Sequence, residues 1–431
     1  VTDDINFQRV SAQIVATLTR ILGPRHIALA EEVAQDALLK ALQTWPHAGV
    51  PANPSAWLIQ VAKNRALDAL RRDQWLADRV DEVAAELSAN AGLNPSSGAR
   101  LRGEPRTPDD DQLAMMFLAC HPVLPREARV ALTLKTVCGF GVGEIARAFL
   151  AREDTIAQRL VRAKRQLRDA DVAFTLAPAE YLERLESVLD VLYLLFNEGH
   201  SAHAGDDLIR GELCEEAIRL GRLLADEPAL ATPAVYALLA LMHLQAARLP
   251  ARLGEADEVQ RLAEQDRSRW DRSLVDRGLR DLERAASGDT LTIYHVEAGI
   301  AACHAAAAHY DDTDWSRIVE LYDMLAAIKP TPIVALNRAI ALSRLHGPKV
   351  GLAAVEAIAD DPVLARYYLL PATMGELARE SGDAARAAEF FRAALACECS
   401  QPERRFLERK LREAETGDPA RGSRYVNPRA T

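Results

Sequence analysis

The spacing of apolar residues predicts helices along almost the whole chain. From residue 5 to 72 they follow a helical period, with breaks at Gly23-Pro24 and between Pro46 and Pro54. Residues 73–111 lose the pattern. Their centre, Gly92-Leu93-Asn94-Pro95-Ser96-Ser97-Gly98, has the composition of a tether, and the stretch is expected to be a linker closing on the acidic helix entry Pro108-Asp109-Asp110-Asp111. Helical character returns from 112 to 172, interrupted by a turn at Pro122 to Pro125. From 179 to 416 the chain reads as Ala- and Leu-rich helical hairpins without a convincing strand, and 417–431 reads as a tail. The expected fold class is all-α: two small helical domains joined by a flexible linker, followed by an α-solenoid.

Within 142–168 the pattern sharpens into a helix-turn-helix. A short helix around Gly143-Glu144-Ile145-Ala146-Arg147-Ala148-Phe149 is followed by the break Leu150-Ala151-Arg152 and a second helix from about Glu153. Ile156, Leu160, Ala163 and Leu167 share one face of that second helix and are expected to be core. Thr155, Gln158, Arg159, Arg162, Arg165 and Gln166 gather on the other side, where hydroxyl, amide and guanidinium groups suit base edges and phosphates. An ordinary solvated basic face has the same composition.

The helix from Ser55 to Arg72 has a second unusual face. Asn53 and Pro54 supply its N-cap and first position. Leu58, Ile59, Ala62, Ala66, Ala69 and Leu70 make an apolar side; Trp57, Val61, Asn64, Asp68 and Arg71 line the opposite one. An indole there, flanked by Lys63, Arg65 and Arg72, suits stacking on unpaired bases while cations hold phosphates. Packing of Trp57 against a neighbouring helix explains it equally well.

Charge changes this picture by its distribution. The chain carries a net −10, yet residues 126–168 hold ten Lys or Arg against four Asp or Glu; residues 1–168 sum to +3 and 169–431 to −13. A basic head on an acidic body predicts that only the head meets nucleic acid. Six scattered cysteines are no disulfide framework, and a reducing cytoplasm is expected. The acidic start lacks a signal-peptide pattern, and no apolar run is expected to approach a membrane span. Glu198, His200, His203, Asp206 and Asp207 could be written as a metal site of an enzyme, but they fall in a glycine-flanked loop without a helical His pair. No cofactor is called for.

In the acidic body, Gly375, Gly382, Ala387, Phe391 and Ala394 have tetratricopeptide-repeat spacing: small residues where paired helices touch, an aromatic between them. Trp315 to Pro330 reads as the second helix of a degenerate copy, with Tyr322 at the aromatic position.

These residues carry a resemblance. Ala30-Glu31-Glu32-Val33-Ala34-Gln35-Asp36-Ala37-Leu38-Leu39-Lys40-Ala41-Leu42, Asn53 to Leu58 and Ala62 to Arg72 are similar to region 2 of the extracytoplasmic-function sigma factors. Arg126 to Arg168, with Glu144-Ile145-Ala146 and Thr155 to Lys164, resembles their region 4. The tail resembles a subgroup with a tetratricopeptide-like extension in place of a separate anti-sigma protein, through Phe196 to Ser201, Glu264 to Asp271 and Ala335 to Ala339. One departure stands at Arg152, where many relatives have Ser or Pro; the cap is expected to be weaker and the promoter sequence different.

The resemblance implies a transcription initiation factor, not an enzyme, with core RNA polymerase and promoter DNA as partners and no membrane. It places Glu32 and Asp36 at the polymerase β′ clamp helices. Trp57, Lys63, Asn64, Arg65, Asp68, Arg71 and Arg72 fall at the melted −10 strand, and Arg152, Thr155, Gln158, Arg159, Arg162 and Arg165 at the −35 duplex, with region 4 also touching the β flap. The domains follow as 5–72 (region 2), 73–111 (linker), 112–172 (region 4) and 179–416 (helical regulatory domain). That last domain is expected to pack on the sigma regions and to bind a protein partner of its own. A helix-turn-helix repressor or activator independent of polymerase is the alternative, and it leaves the Trp57 stripe unexplained.

Overall fold

The computed structural model describes residues 7–72, 108–149, 151–174, 176, 178–200, 210–254, 259–365, 367–397 and 399–416. Nearly all of the expected linker and the tail lie outside these. Among the described residues the only β-pairing is a single bridge between Leu253 and Val259; the rest is helix and turn, so the fold is all-α. The chain divides into two compact units, residues 1–196 with 219–232, and residues 197–218 with 233–431.

The first unit begins with α1 (Phe7–Leu22), α2 (Ile27–Ala48) and α3 (Pro54–Arg72). Gly23 and Gly49 adopt φ of 86° and 82° and end the first two helices at the predicted breaks. Asn53 caps α3, its side chain accepting from the Ala56 amide at 3.0 Å. Ile14, Leu18, Ile27, Val33, Leu58, Ala62 and Ala66 are buried where the three helices meet. Next come α4 (Pro108–Ala119), α5 (Arg126–Thr136), α6 (Val142–Ala148) and α7 (Glu153–Asp169). Ile156, Leu160, Ala163 and Leu167 of α7 are buried, as its period requires.

The two halves of this unit are joined along a seam. Arg20 pairs with the buried Asp111 at 2.9 Å, Gln8 donates to Glu144 at 3.1 Å, and Lys164 of α7 is ion-paired with Glu31 of α2. Gly139 (φ 78°) lies so close to α1 that a Cβ there would stand 2.4 Å from the Gln8 carbonyl oxygen.

The unit also extends past residue 178. α8 (Pro178–His200) lays Tyr181 edge-on against Phe117 at 4.8 Å. Ser187 donates to the Cys120 carbonyl at 2.8 Å and accepts from Arg129 at 2.7 Å, while Arg126 grips Asp190 at 2.6 and 2.8 Å. These contacts make the first helix of the expected 179–416 domain part of the region-4 core. The signal was available in the apolar face of Tyr181, Leu185, Val188 and Leu192. Burial pushes the Cys120 thiol up to about 12, leaving it unreactive.

In the second unit, residues from 233 onward form α10 (Pro233–Ala246), α11 (Arg272–Ala285), α12 (Ile293–Ala306), α13 (Trp315–Ile328), α14 (Pro332–His346), α15 (Pro348–Glu356), α16 (Leu369–Glu380), α17 (Ala384–Leu395) and α18 (Gln401–Thr416); α9 (Gly211–Asp226) is divided between the units at 218/219. Asp271, Asp314 and Asp383 cap α11, α13 and α17 in the same way, each accepting from the amide three residues on. The repeat spacing has its expected meaning: a Cβ on Gly375 would meet the Phe391 ring at 2.8 Å, so α16 and α17 touch only because that position is glycine. In the earlier pair it is Leu321 that faces Gly299; Tyr322 is partly buried beside the same cluster.

One expectation needs correction. Pro233–Ala251 is long and apolar enough to cross a membrane, although most of it is buried in the fold. It reads as membrane-like because α10 is apolar all round, packing against both α11 and α12.

A buried ion network ties α16 to α18. Arg261 reaches Glu264 and Glu376 at 2.6 Å each, and Lys410 lies 3.6 and 3.7 Å from the same two carboxylates. Burial alone would raise Glu376, but Arg261, Lys410 and Arg379 hold it down to about 2. A depressed folded pKa stabilises the fold above the unfolded value and ceases to do so as pH falls through the folded one. The second unit is therefore expected to lose stability between pH 4.5 and about 2, and Glu376→Gln to flatten that part of an acid unfolding curve.

Candidate nucleic-acid interface

α7 starts without a side-chain cap. Arg152 stands at its N-cap in extended conformation (φ −71°, ψ 143°) and makes no capping bond, the weakness read from the sequence. Its guanidinium is exposed, 3.8 Å from Asp154. Past it, Thr155, Gln158, Arg162 and Arg165 are exposed and Arg159 is half-buried. Arg162 donates to Gln158 at 3.3 Å and Arg165 to Asp169 at 3.3 Å, so the polar groups form a row on the side away from Ile156 and Leu160. The sequence reading passed over Val161, which is 66% exposed at the edge of this row. An apolar group among donors is what a thymine methyl meets in a major groove. The wheel alone would have shown it facing outward.

On α3 the predicted residues separate. Trp57 is half-buried and packs against Trp45 at 5.5 Å, with Phe7 5.8 Å beyond, so the indole has both a protein neighbour and an open side. Asn64 and Asp68 are exposed. Asn64 accepts from Gln60 at 3.0 Å. Lys63 is not on this face: it is 2% exposed, and burial with Arg20 nearby lowers its ammonium pKa. At roughly 100° per residue it sits about 120° from Trp57, toward the core side, a position that its charge obscured. Arg71 and Arg72 lie in α3, but their side chains fall outside the description.

Arg65 pairs with Asp36 at 3.6 Å, joining a residue expected at melted DNA to one expected at polymerase. Glu32 is exposed on the same helix as Asp36, and with them stand Leu39 and Leu42, 56% and 59% exposed. Two bare leucines beside acidic groups make a surface suited to protein contact, and they too were missed as site residues. Of the metal-like group, Glu198 pairs with Arg210 at 3.2 Å and His200 with Arg252 at 3.1 Å. His203, Asp206 and Asp207 lie outside the described residues.

Residues 7–76 match the sigma-70 region 2 family and residues 114–167 the sigma-70 region 4 family; residues 184–286 match a family of unknown function, DUF6596. An uncharacterized protein of Rhizobium meliloti is 36% identical over 417 residues, covering 94% of this chain and 95% of that protein. The probable RNA polymerase sigma factor RfaY of Xanthomonas campestris pv. campestris is 26% identical over 161 residues, 37% of this chain and 38% of the relative. The probable ECF RNA polymerase sigma factor SigI of Mycobacterium tuberculosis is 24% identical over 170 residues, 39% of this chain and 56% of the relative. With the sigma-70 region 2 and region 4 families matched in order, the chain belongs to the extracytoplasmic-function branch of the sigma-70 family and carries a long helical C-terminal extension.

Proposed function

We propose that the chain binds core RNA polymerase through α2, opens a −10 element with the outer face of α3 and reads a −35 element with α7, in the cytoplasm. The row of Thr155, Gln158, Arg162 and Arg165 opposite a buried Ile156–Leu160–Ala163–Leu167 face carries this reading. Glu32, Asp36, Leu39 and Leu42 are the polymerase contacts; Trp57, Asn64, Arg65, Asp68, Arg71 and Arg72 attend the melted strand. Arg152, Thr155, Gln158, Arg159, Arg162, Arg165 and Val161 face the duplex. Lys63 acts only if region 2 rearranges, because in this state its ammonium is enclosed. The tetratricopeptide-like unit modulates these steps by binding a protein partner.

The test is binding to matched and single-base-changed promoters by the holoenzyme. Arg162→Ala is expected to weaken binding by about 1–3 kcal/mol and to relax preference at one −35 base pair if it makes a bidentate base contact. Loss spread evenly over all sequences means a phosphate contact only, and no change in −35-dependent transcription refutes the assignment.

Trp57→Ala is expected to have two effects. Losing the contact with Trp45 costs about 1 kcal/mol of stability, and strand opening falls while premelted template restores transcription. A loss of about 3 kcal/mol or more, with normal opening, means the indole is core only.

A further inference from the structure

The second unit contains a concentration of cations outside the promoter contacts proposed above. Past the end of α10 the chain runs through Arg248 and Arg252, returns at a short turn, Arg267–Arg269, and enters the buried Trp270. The guanidinium carbons of Arg248 and Arg267 lie 5.5 and 4.7 Å from the centre of the same indole ring. Arg248 is bonded to neutral amides, Gln245 at 3.0 Å and Gln265 at 3.4 Å. Arg267 donates through one terminal nitrogen to the carbonyls of His304 and Ala307 at the end of α12. Its other terminal nitrogen is buried without a hydrogen bond, and so are the Trp270 indole N–H and His304 Nδ1. Arg252 adds a third guanidinium, bonded to the His200 carbonyl and to its Nδ1.

Grouped like charges in a poorly solvated place are costly unless something negative joins them. Burial and the neighbouring Arg252 and Arg267 bring Arg248 down to about 9; burial, Arg248 and Arg267 bring His304 down to about 3. The carbonyl end of α12 offsets part of the Arg267 charge, whereas the bonds of Arg248 go only to side-chain amides. Two guanidiniums thus lie over one indole ring, and buried groups of Arg267, Trp270 and His304 have no hydrogen bond, while Asp312 and Tyr310 act on the Arg267 charge from nearby. Ser268 and Arg269 in the adjoining turn are exposed, which puts the cluster next to solvent.

We propose that Arg248, Arg267, Trp270 and His304 form a binding site for a small oxyanion of phosphate or carboxylate chemistry. Bound there, the anion accepts from both guanidiniums and the indole N–H, and His304 can join as a donor once protonated. The proposal does not depend on the promoter contacts assigned above.

The full chain is titrated by calorimetry and thermal unfolding with inorganic phosphate, a mononucleotide and succinate, against chloride at equal ionic strength. At least one is expected to bind saturably at millimolar concentration or below and to raise the unfolding temperature. The one that binds tightest identifies the source as free phosphate, an organic phosphate or a dicarboxylate. Arg248→Gln is expected to weaken that binding about tenfold or more. In anion-free buffer the same variant should unfold at no lower temperature than the parent, because it removes an uncompensated buried charge. Arg267→Lys, which keeps the charge and loses the fork, supplies a second variant with weakened binding. No saturable binding of any of the three, or equal affinity in both variants, overturns the proposal.

Discussion

Ending the chain after Asp171 is expected to destabilise the sigma portion rather than to liberate it. The cut removes α8, and with it Tyr181, Leu185, Val188 and Leu192 from the first unit. Phe117 loses the edge-on ring 4.8 Å away, and Arg126 and Arg129 lose their partners Asp190 and Ser187. Tyr181→Ala alone should cost about 3 kcal/mol, the scale for emptying an aromatic core position. Thermal unfolding of the truncated and substituted chains checks this. Unfolding at the parent's temperature after the cut would contradict the assignment of α8 to the region-4 core. A chain ending after Thr232 keeps every segment of the first unit and is the proper comparison for modulation by the remainder. It is expected to fold and to differ from the full chain in transcription; identical activity would make the extension a passenger.

Gly139→Ala is expected to part the seam inside the first unit. Its methyl would lie 2.4 Å from the Gln8 carbonyl oxygen, and φ of 78° is itself unfavourable for alanine. Overpacking of this kind costs about 1–3 kcal/mol, which shifts a closed–open equilibrium toward open by one to two orders of magnitude, roughly. The opening matters because −10 and −35 elements are about 25 base pairs apart, roughly 85 Å along straight duplex at 3.4 Å per pair. In the closed unit Lys164 of α7 is paired with Glu31 of α2, and α7 is only about 26 Å long at 1.5 Å per residue. On the proposed contacts, the two elements are not held at once in that state. Spin labels at the exposed positions Leu42 and Val161, with the half-exposed Cys303, Cys397 and Cys399 replaced, report the separation. Gly139→Ala should lengthen it and raise polymerase affinity. An unchanged distance distribution would show that the seam is not held at Gly139.

How far the sequence anticipated this depends on the kind of signal. Local rules worked where a local cause decides: Asn53 as a cap, the four buried positions of α7, and Gly375 beneath Phe391 all follow from spacing and residue size. Long-range pairing was not legible. Nothing in the residues around Glu31 announces Lys164, 133 positions away, and nothing around Gly139 announces Gln8. Charge misleads at Lys63, whose ammonium suits a phosphate while its position on the helix is enclosed. Leu39, Leu42 and Val161 are exposed apolar residues, and side-chain type alone does not mark them as surface. The α8 boundary was missed for a related reason. The packing of α8 depends on Phe117 and Tyr181, 64 residues apart.

The most direct measurement of the central claim is reconstitution with core RNA polymerase. The full chain is mixed with core enzyme, free sigma is removed, and transcription is read from a promoter selected by that holoenzyme. A stable complex and a start-site-specific transcript that requires the chain are expected. Leu39→Asp with Leu42→Asp should abolish the complex, and Arg162→Ala should spare the complex while reducing the transcript. A chain that binds duplex DNA by itself but neither enters the holoenzyme nor directs initiation would contradict the account.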